Sequence, residues 1–230
     1  MARYNTVLFD ADNTLLDFLR SEREALSDTL LKMGITPSEE LISTYSRIND
    51  ANWKRLERGE ITKAQLRTAR FAEFCAHFGF ALDATEMADN YLNALCTKRF
   101  LMPGAVALCE RLSKECRLYI ITNGIAAVQH GRFDSSPLAP FFKGAFISDE
   151  LGCEKPAKAF FDLVAASIPD FDPATTLVVG DSLTSDIAGG INAGLDTCWF
   201  NPAGKSAPAD MPITYTVEKL EDVIPPVLGV

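Results

Sequence analysis

The chain has 230 residues, of which 47% are hydrophobic and 23% charged, and its formal net charge is −9. That composition is ordinary for a globular protein and long enough for one large core or two smaller ones. The acidic balance repels phosphate polymers, so nucleic-acid polymers and anionic membranes are not expected partners. A small anionic substrate remains admissible where a metal ion and a lysine reverse the sign locally.

The six cysteines form no Cys-x-x-Cys pair and there are only two histidines, so no zinc site is expected. Cys109 and Cys198 lie in apolar patterns and read as buried, reduced thiols. Together with an N-terminus that lacks a basic-then-apolar leader, and with no run long enough to span a bilayer, this predicts a cytoplasmic protein.

In chain order, Thr6-Val7-Leu8-Phe9 predicts a buried strand that stops at Asp10-Ala11-Asp12-Asn13-Thr14. Two like charges at the end of a core strand need a cation nearby. Ser21 and Glu24 match a capping box, which predicts a helix to about Met33 ended by Gly34. Ser38 starts a second helix, Thr62 with Gln65 caps a third, and Asp83 caps a fourth that runs to about Cys96. On the third, Phe71, Phe74, Cys75 and Phe78 share one face. Residues 17–97 therefore read as a wholly helical insert, a separate small domain.

Pro103-Gly104 marks a change to alternation. A helix from Ala105, a strand at Arg117–Thr122, a helix at about Ile125–Phe133 and a short strand at Ala145–Ile147 come first. A helix at Ala157–Ala166, a strand at Thr176–Gly180 and a helix at Thr184–Ala193 follow, then strands at Thr197–Phe200 and Thr214–Val217. A last helical turn, Leu220 to Ile224, is expected to stop at Pro225-Pro226. Repeated βα units predict an α/β fold, a Rossmann-like, doubly wound, mostly parallel sheet built from residues 1–16 and 98–230.

Four polar sets stand at or after strand ends: Asp10 to Thr14, Thr122-Asn123-Gly124, Lys155-Pro156, and Gly180-Asp181-Ser182 with Asp186. If the strands are parallel, all four meet at one sheet edge. Each alone is an ordinary turn, cap or solvated side chain; their order and conjunction carry the signal. In that order they resemble the motifs of the haloacid dehalogenase-like superfamily, and the helical insert after the first motif resembles its cap.

The resemblance implies phosphate monoester hydrolysis. Asp10 is then the nucleophile that forms an aspartyl-phosphate. Asp12 protonates the leaving oxygen and later activates water, a role favoured by a neighbouring carboxylate. Mg²⁺, with Mn²⁺ or Co²⁺ able to substitute, is held by Asp10, the Asp12 backbone carbonyl and Asp181, with Asp186 as a direct ligand or one layer behind. Thr122, Asn123 and Lys155 hold phosphate oxygens, Lys155 also offsets the carboxylates, and Thr14 orients the loop. Branches that cleave carbon–halogen bonds lack an aspartate two residues after the nucleophile, so Asp12 favours phosphoryl transfer.

Asn52-Trp53, Gly59-Glu60-Ile61-Thr62 with Gln65, and Gly189 to Trp199 further resemble the bacterial pyrimidine 5′-nucleotidase branch. The implied substrates are uridine, deoxyuridine and thymidine 5′-monophosphates. Asn49 and Asn52 share a helix face and can read a base edge, and Trp53 can stack on a ring or pack in the insert's own core. A phosphatase for another small phosphorylated metabolite, and a non-catalytic phosphate-binding module, remain alternatives. His130 and Phe133 match no motif position.

Overall fold

The computed structural model describes residues 2–230. From the N-terminus, β1 (Thr6–Phe9) is followed by the helices α1 (Phe18–Lys32), α2 (Glu39–Glu57), α3 (Lys63–Phe78) and α4 (Ala84–Leu95). Then come α5 (Ala105–Leu112), β2 (Arg117–Thr122), α6 (Ala126–Phe133), β3 (Phe142–Ile147), α7 (Ser148–Leu151), α8 (Lys158–Ser167) and β4 (Thr176–Gly180). The chain closes with α9 (Ala188–Asn192), β5 (Asp196–Phe200), β6 (Tyr215–Val217) and α10 (Ile224–Leu228). It divides into two compact units: the chain up to Asp17 together with Leu101–Val230, and Phe18–Phe100.

The first unit is a six-stranded sheet in the order β3-β2-β1-β4-β5-β6, parallel throughout. Alternate residues of the central strands face opposite sides. Val7, Phe9, Leu118, Ile120, Leu177 and Val179 join one buried cluster with residues of α5 and α10. Leu8, Tyr119, Ile121 and Val178 join another with Phe160, Phe161 and Val164 of α8. Both faces are covered, which is why these strands read as continuous apolar runs. The order reverses at β1, between β2 and β4, and ligands of open α/β sheets bind beyond the strand ends at such a reversal.

The second unit is a helical bundle. Tyr45, Phe71, Phe74 and Tyr91 are fully buried, with the Tyr45 and Phe71 rings stacked at 5.0 Å between centroids. Ser38, Thr62 and Asp83 cap their helices as expected, and Thr62 with Gln65 forms the full capping box. Lys98 belongs here because its ammonium lies 2.6 Å from Asp28 of α1. Phe100 belongs here because the Arg20 guanidinium sits 3.9 Å from its ring centroid. The sheet unit resumes where Leu101 bridges Leu16.

Four expectations are corrected. Ser21 does not cap α1: the helix begins at Phe18 and Ser21 is buried inside it. Pro225 and Pro226 do not end the last helical turn but sit in the first turn of α10, where their missing N–H groups cost no helical bond. β3 starts at Phe142, three residues earlier than expected, because Phe142 packs against Phe9 and Phe133. The segment after β4 opens with a π-helical turn, Leu183–Ile187, before α9. Its wide winding shows in Asp186 and Ile187, whose N–H groups both donate to the Ser182 carbonyl at 3.1 Å. Turns of this kind concentrate at functional sites.

Candidate active site

The loop after β1 is shaped by its own short-range bonds. Leu15 and Leu16 donate to the Ala11 carbonyl at 3.0 and 2.8 Å, and Asn13 donates to Leu16 at 2.7 Å. Asn13 takes a φ of 59°, a left-handed conformation that asparagine tolerates better than most residues. The buried Thr14 hydroxyl donates to Asp10 Oδ2 at 3.1 Å, which gives it an orienting contact with Asp10.

Lys155 is 1% exposed. Its ammonium donates to Asp10 Oδ1 at 2.8 Å, Asp186 Oδ1 at 2.6 Å and the Ile121 carbonyl at 2.9 Å. An ammonium has three hydrogens, so all of them already have acceptors, and a phosphate oxygen would have to replace one. Asn123 does not point its amide at open space. It clasps the Lys155 backbone, donating to its carbonyl at 2.8 Å and accepting from its N–H at 2.9 Å. The peptide bond from Lys155 to Pro156 is cis.

Asp186 is also buried, and its second oxygen accepts from the Ser182 N–H at 3.1 Å. Gly180 makes this possible, since a Cβ there would fall 2.3 Å from Asp186 Oδ2. Asp10, Asp181 and Asp186 each present a carboxylate oxygen within 4.8 Å of the others. The Trp199 indole holds the Asp181 carbonyl at 2.9 Å. Burial pushes the Asp10 carboxyl well above the usual carboxylate range; Asp186 and Asp181 push the same way and Lys155 opposes them. Burial, then Asp186, lifts Asp181 to about 7. Burial alone would lower the Lys155 pKa, but Asp10 and Asp186 outweigh it and hold the ammonium charged.

Once ionised, three carboxylates against one ammonium leave the cluster negative. A hard divalent cation with oxygen ligands suits that donor set, and no histidine or cysteine belongs to the cluster. The residues present therefore fit Mg²⁺.

Asp12 faces a different environment from the one its spacing predicts. Its Oδ1 forms an ion pair with Arg132, whose side chain is fully buried. Its Oδ2 accepts from the Gln129 amide at 2.8 Å. The immediate charged partner is thus a cation on α6 rather than a carboxylate. Gln129 also donates to Thr122 Oγ1 at 2.7 Å. Neither α6 residue was expected from sequence. The available signal was a glutamine and an arginine, three apart, on the same buried face as Val128 and Phe133. His130 lies off the cluster, bonded to Asp134 and Glu150 at 2.9 Å each.

In the helical unit, Asn49 and Asn52 are buried with their amides engaged. Asn49 donates to Glu22 at 2.6 Å and accepts from Arg70 at 2.8 Å. Asn52 donates to the Ile48 carbonyl and to Glu73, and accepts from Arg55. Trp53 is half-buried.

Among the described residues, no helix is long and apolar enough to cross a membrane. A profile of the haloacid dehalogenase-like hydrolases matches residues 4–194. The chain is 38% identical to YfnB of Bacillus subtilis, named as a HAD-hydrolase, over 97% of this chain and 95% of that one. It is 38% identical to the pyrimidine 5′-nucleotidase PynA of Streptococcus pneumoniae, over 96% and 94%. It is 32% identical to the pyrimidine 5′-nucleotidase YjjG of Escherichia coli, over 96% of each. The crystal structure of YfnB bound to magnesium superposes with a TM-score of 0.92, covering 96% of this chain and 97% of that one at 38% identity. The chain belongs to the haloacid dehalogenase-like hydrolase family.

Proposed function

We propose that the protein is a Mg²⁺-dependent phosphatase that hydrolyses nucleoside 5′-monophosphates, those of pyrimidines first, through an aspartyl-phosphate. The observation that carries this reading is the meeting of Asp10, Asp181, Asp186 and Lys155 at the end of the central strands. The base preference is supported by the two relatives named as pyrimidine 5′-nucleotidases.

Lys155 and Thr14 each bond one Asp10 oxygen, so the carboxylate is oriented before substrate arrives. An Asp10 oxygen attacks phosphorus, the bond to the ester oxygen breaks, and Asp12 gives that oxygen a proton. Water then attacks phosphorus, Asp12 takes its proton, and phosphate leaves with Asp10 restored. Mg²⁺ bound by Asp10, the Asp12 carbonyl, Asp181 and Asp186 would offset charge on the phosphoryl oxygens. Thr122 and the backbone at Asn123 help to hold those oxygens. Trp53 of the helical unit offers an aromatic face for a base.

A panel of nucleoside monophosphates and sugar phosphates assayed with Mg²⁺ tests this. The expected result is a kcat/KM for uridylate or thymidylate at least about tenfold above any sugar phosphate, the scale of a few pocket contacts. Faster turnover of sugar phosphates would remove the nucleotide assignment and keep the phosphatase. No turnover of any ester would leave a phosphate-binding module.

A further inference from the structure

Arg132 is among the largest fully buried side chains of the protein. A guanidinium cannot lose its charge and is costly to bury unless paired. Its partner is the Asp12 carboxylate. Beside it, Gln129 is 3% exposed and uses each end of its amide. Oε1 accepts from Arg132 at 3.4 Å, while the two Nε2 hydrogens go to Asp12 Oδ2 at 2.8 Å and Thr122 Oγ1 at 2.7 Å. Space for this comes from Gly124, where a Cβ would lie 2.5 Å from Gln129 Nε2 and 2.7 Å from its Cδ. Thr122 Oγ1 accepts a second bond, from the Gly124 N–H at 3.1 Å. A hydroxyl with both lone pairs engaged is left to donate, and a donated hydrogen is what a phosphoryl oxygen requires.

We propose that Gln129 and Arg132 are positioning residues: α6 fixes the Asp12 carboxylate by both oxygens, and the Gln129 amide sets its distance and direction from the Thr122 hydroxyl. This rests on the phosphatase reading above, in which Asp12 handles the proton of the ester oxygen and Thr122 holds a phosphoryl oxygen. Both α6 side chains act through Asp12 and Thr122 rather than on the ester itself. Arg132 orients the Gln129 amide, Gln129 connects the proton carrier to the phosphate holder, and Gly124 leaves room for the connection.

The test uses the leaving group. A nitrophenolate departs without a proton, whereas an alkoxide needs one from Asp12. Two variants, Gln129→Met and Arg132→Lys, are compared with wild type on p-nitrophenyl phosphate and on the best alkyl phosphate of the panel, each with Mg²⁺. In either folded variant, checked by circular dichroism and melting, kcat/KM for the alkyl ester is expected to fall about 10–100-fold, part of what general acid catalysis supplies. The nitrophenyl ester, which needs Thr122 but no proton, should lose at least about threefold less than the alkyl ester in each variant. Should Gln129→Met not fold, Arg132→Lys decides alone. Equal losses on both esters, or none on either, would overturn the positioning role. A wild type inert toward both would instead defeat the phosphatase reading.

Discussion

Lys155 Nζ lies 2.6 Å from Asp186 Oδ1, and each side chain is only 1% exposed. The two come from different βα connections, one after β3 and one after β4. An ion pair this deep is held by mutual need. Each charge would be costly to bury alone, and the Lys155 ammonium also serves Asp10. The pair therefore ties Asp186 to Asp10 through one cation.

Replacing Lys155 by Met should lower unfolding stability by about 3–5 kcal/mol, the cost of stranding a buried charge. Adding Asp186→Asn should return part of that loss, because fewer carboxylates are then left uncompensated. Urea unfolding of the single and double variants measures both. A double variant less stable than Lys155→Met by the full effect of Asp186→Asn would show that the two residues do not act as a pair.

Metal-free protein should lose stability as pH rises. Asp181 moves from an ordinary 3.8 to about 7, burial being the largest cause and Asp186 the next, and Asp10 moves in the same direction. A carboxyl whose pKa is raised on folding holds a proton that the unfolded chain has released, so stability falls between about pH 4 and pH 7. His130 adds the same sign. Its bonds to Glu150 and Asp134 raise its pKa, so its contribution is complete below its unfolded value and lost as pH passes the folded one. A His130→Gln control removes that part. In chelator, the melting temperature should be at least about 2 °C lower at pH 8 than at pH 5.5. Mg²⁺ should raise it more at pH 8, where the carboxylates are ionised. A Mg²⁺ effect no larger at pH 8 would argue against this cluster as the metal site.

The sheet and the main-chain course of the site were legible because their signals are local. β1, β2 and β4 are apolar runs that end in polar triplets, and Thr62 and Asp83 announce their helices by short-range bonds. What could not be read depends on contacts distant in sequence. The partner of Asp12 is 120 residues away, and Arg132 looks like any helical arginine until the fold buries it. Asn49 reads as an amide open to a base, yet Glu22 and Arg70 take both of its ends. Ser21 and Glu24 satisfy a capping pattern, but α1 starts at Phe18 and the pattern falls inside the helix.

Asn49 and Trp53 should separate cleanly. Asn49→Ala leaves Glu22 and Arg70 buried without their shared partner, and it should cost about 1–3 kcal/mol in stability while base preference stays as in wild type. Trp53→Ala removes a stacking face; it should raise KM for pyrimidine nucleotides and leave p-nitrophenyl phosphate within about twofold. Thermal melting and the two-substrate comparison check both variants. An unchanged nucleotide KM in Trp53→Ala would place Trp53 among the packing residues of the helical unit.

Asp10→Asn should abolish turnover without harming the fold. The amide has nearly the shape of the carboxylate and can still accept from Thr14 or Lys155, but it is no nucleophile. Loss of an essential nucleophile commonly costs several orders of magnitude in kcat. Stability carries a second sign. Burial and the neighbouring Asp186 already disfavour the ionised Asp10, and asparagine resembles the neutral form. In chelator at pH 8 the variant should therefore melt no lower than wild type, while its response to Mg²⁺ shrinks because one ligand is gone. Acid-quenched wild type should yield a phosphoprotein during turnover, and the variant none. Turnover retained in Asp10→Asn would sink the nucleophile assignment. Lost turnover together with a collapsed melting temperature would instead give Asp10 a structural role.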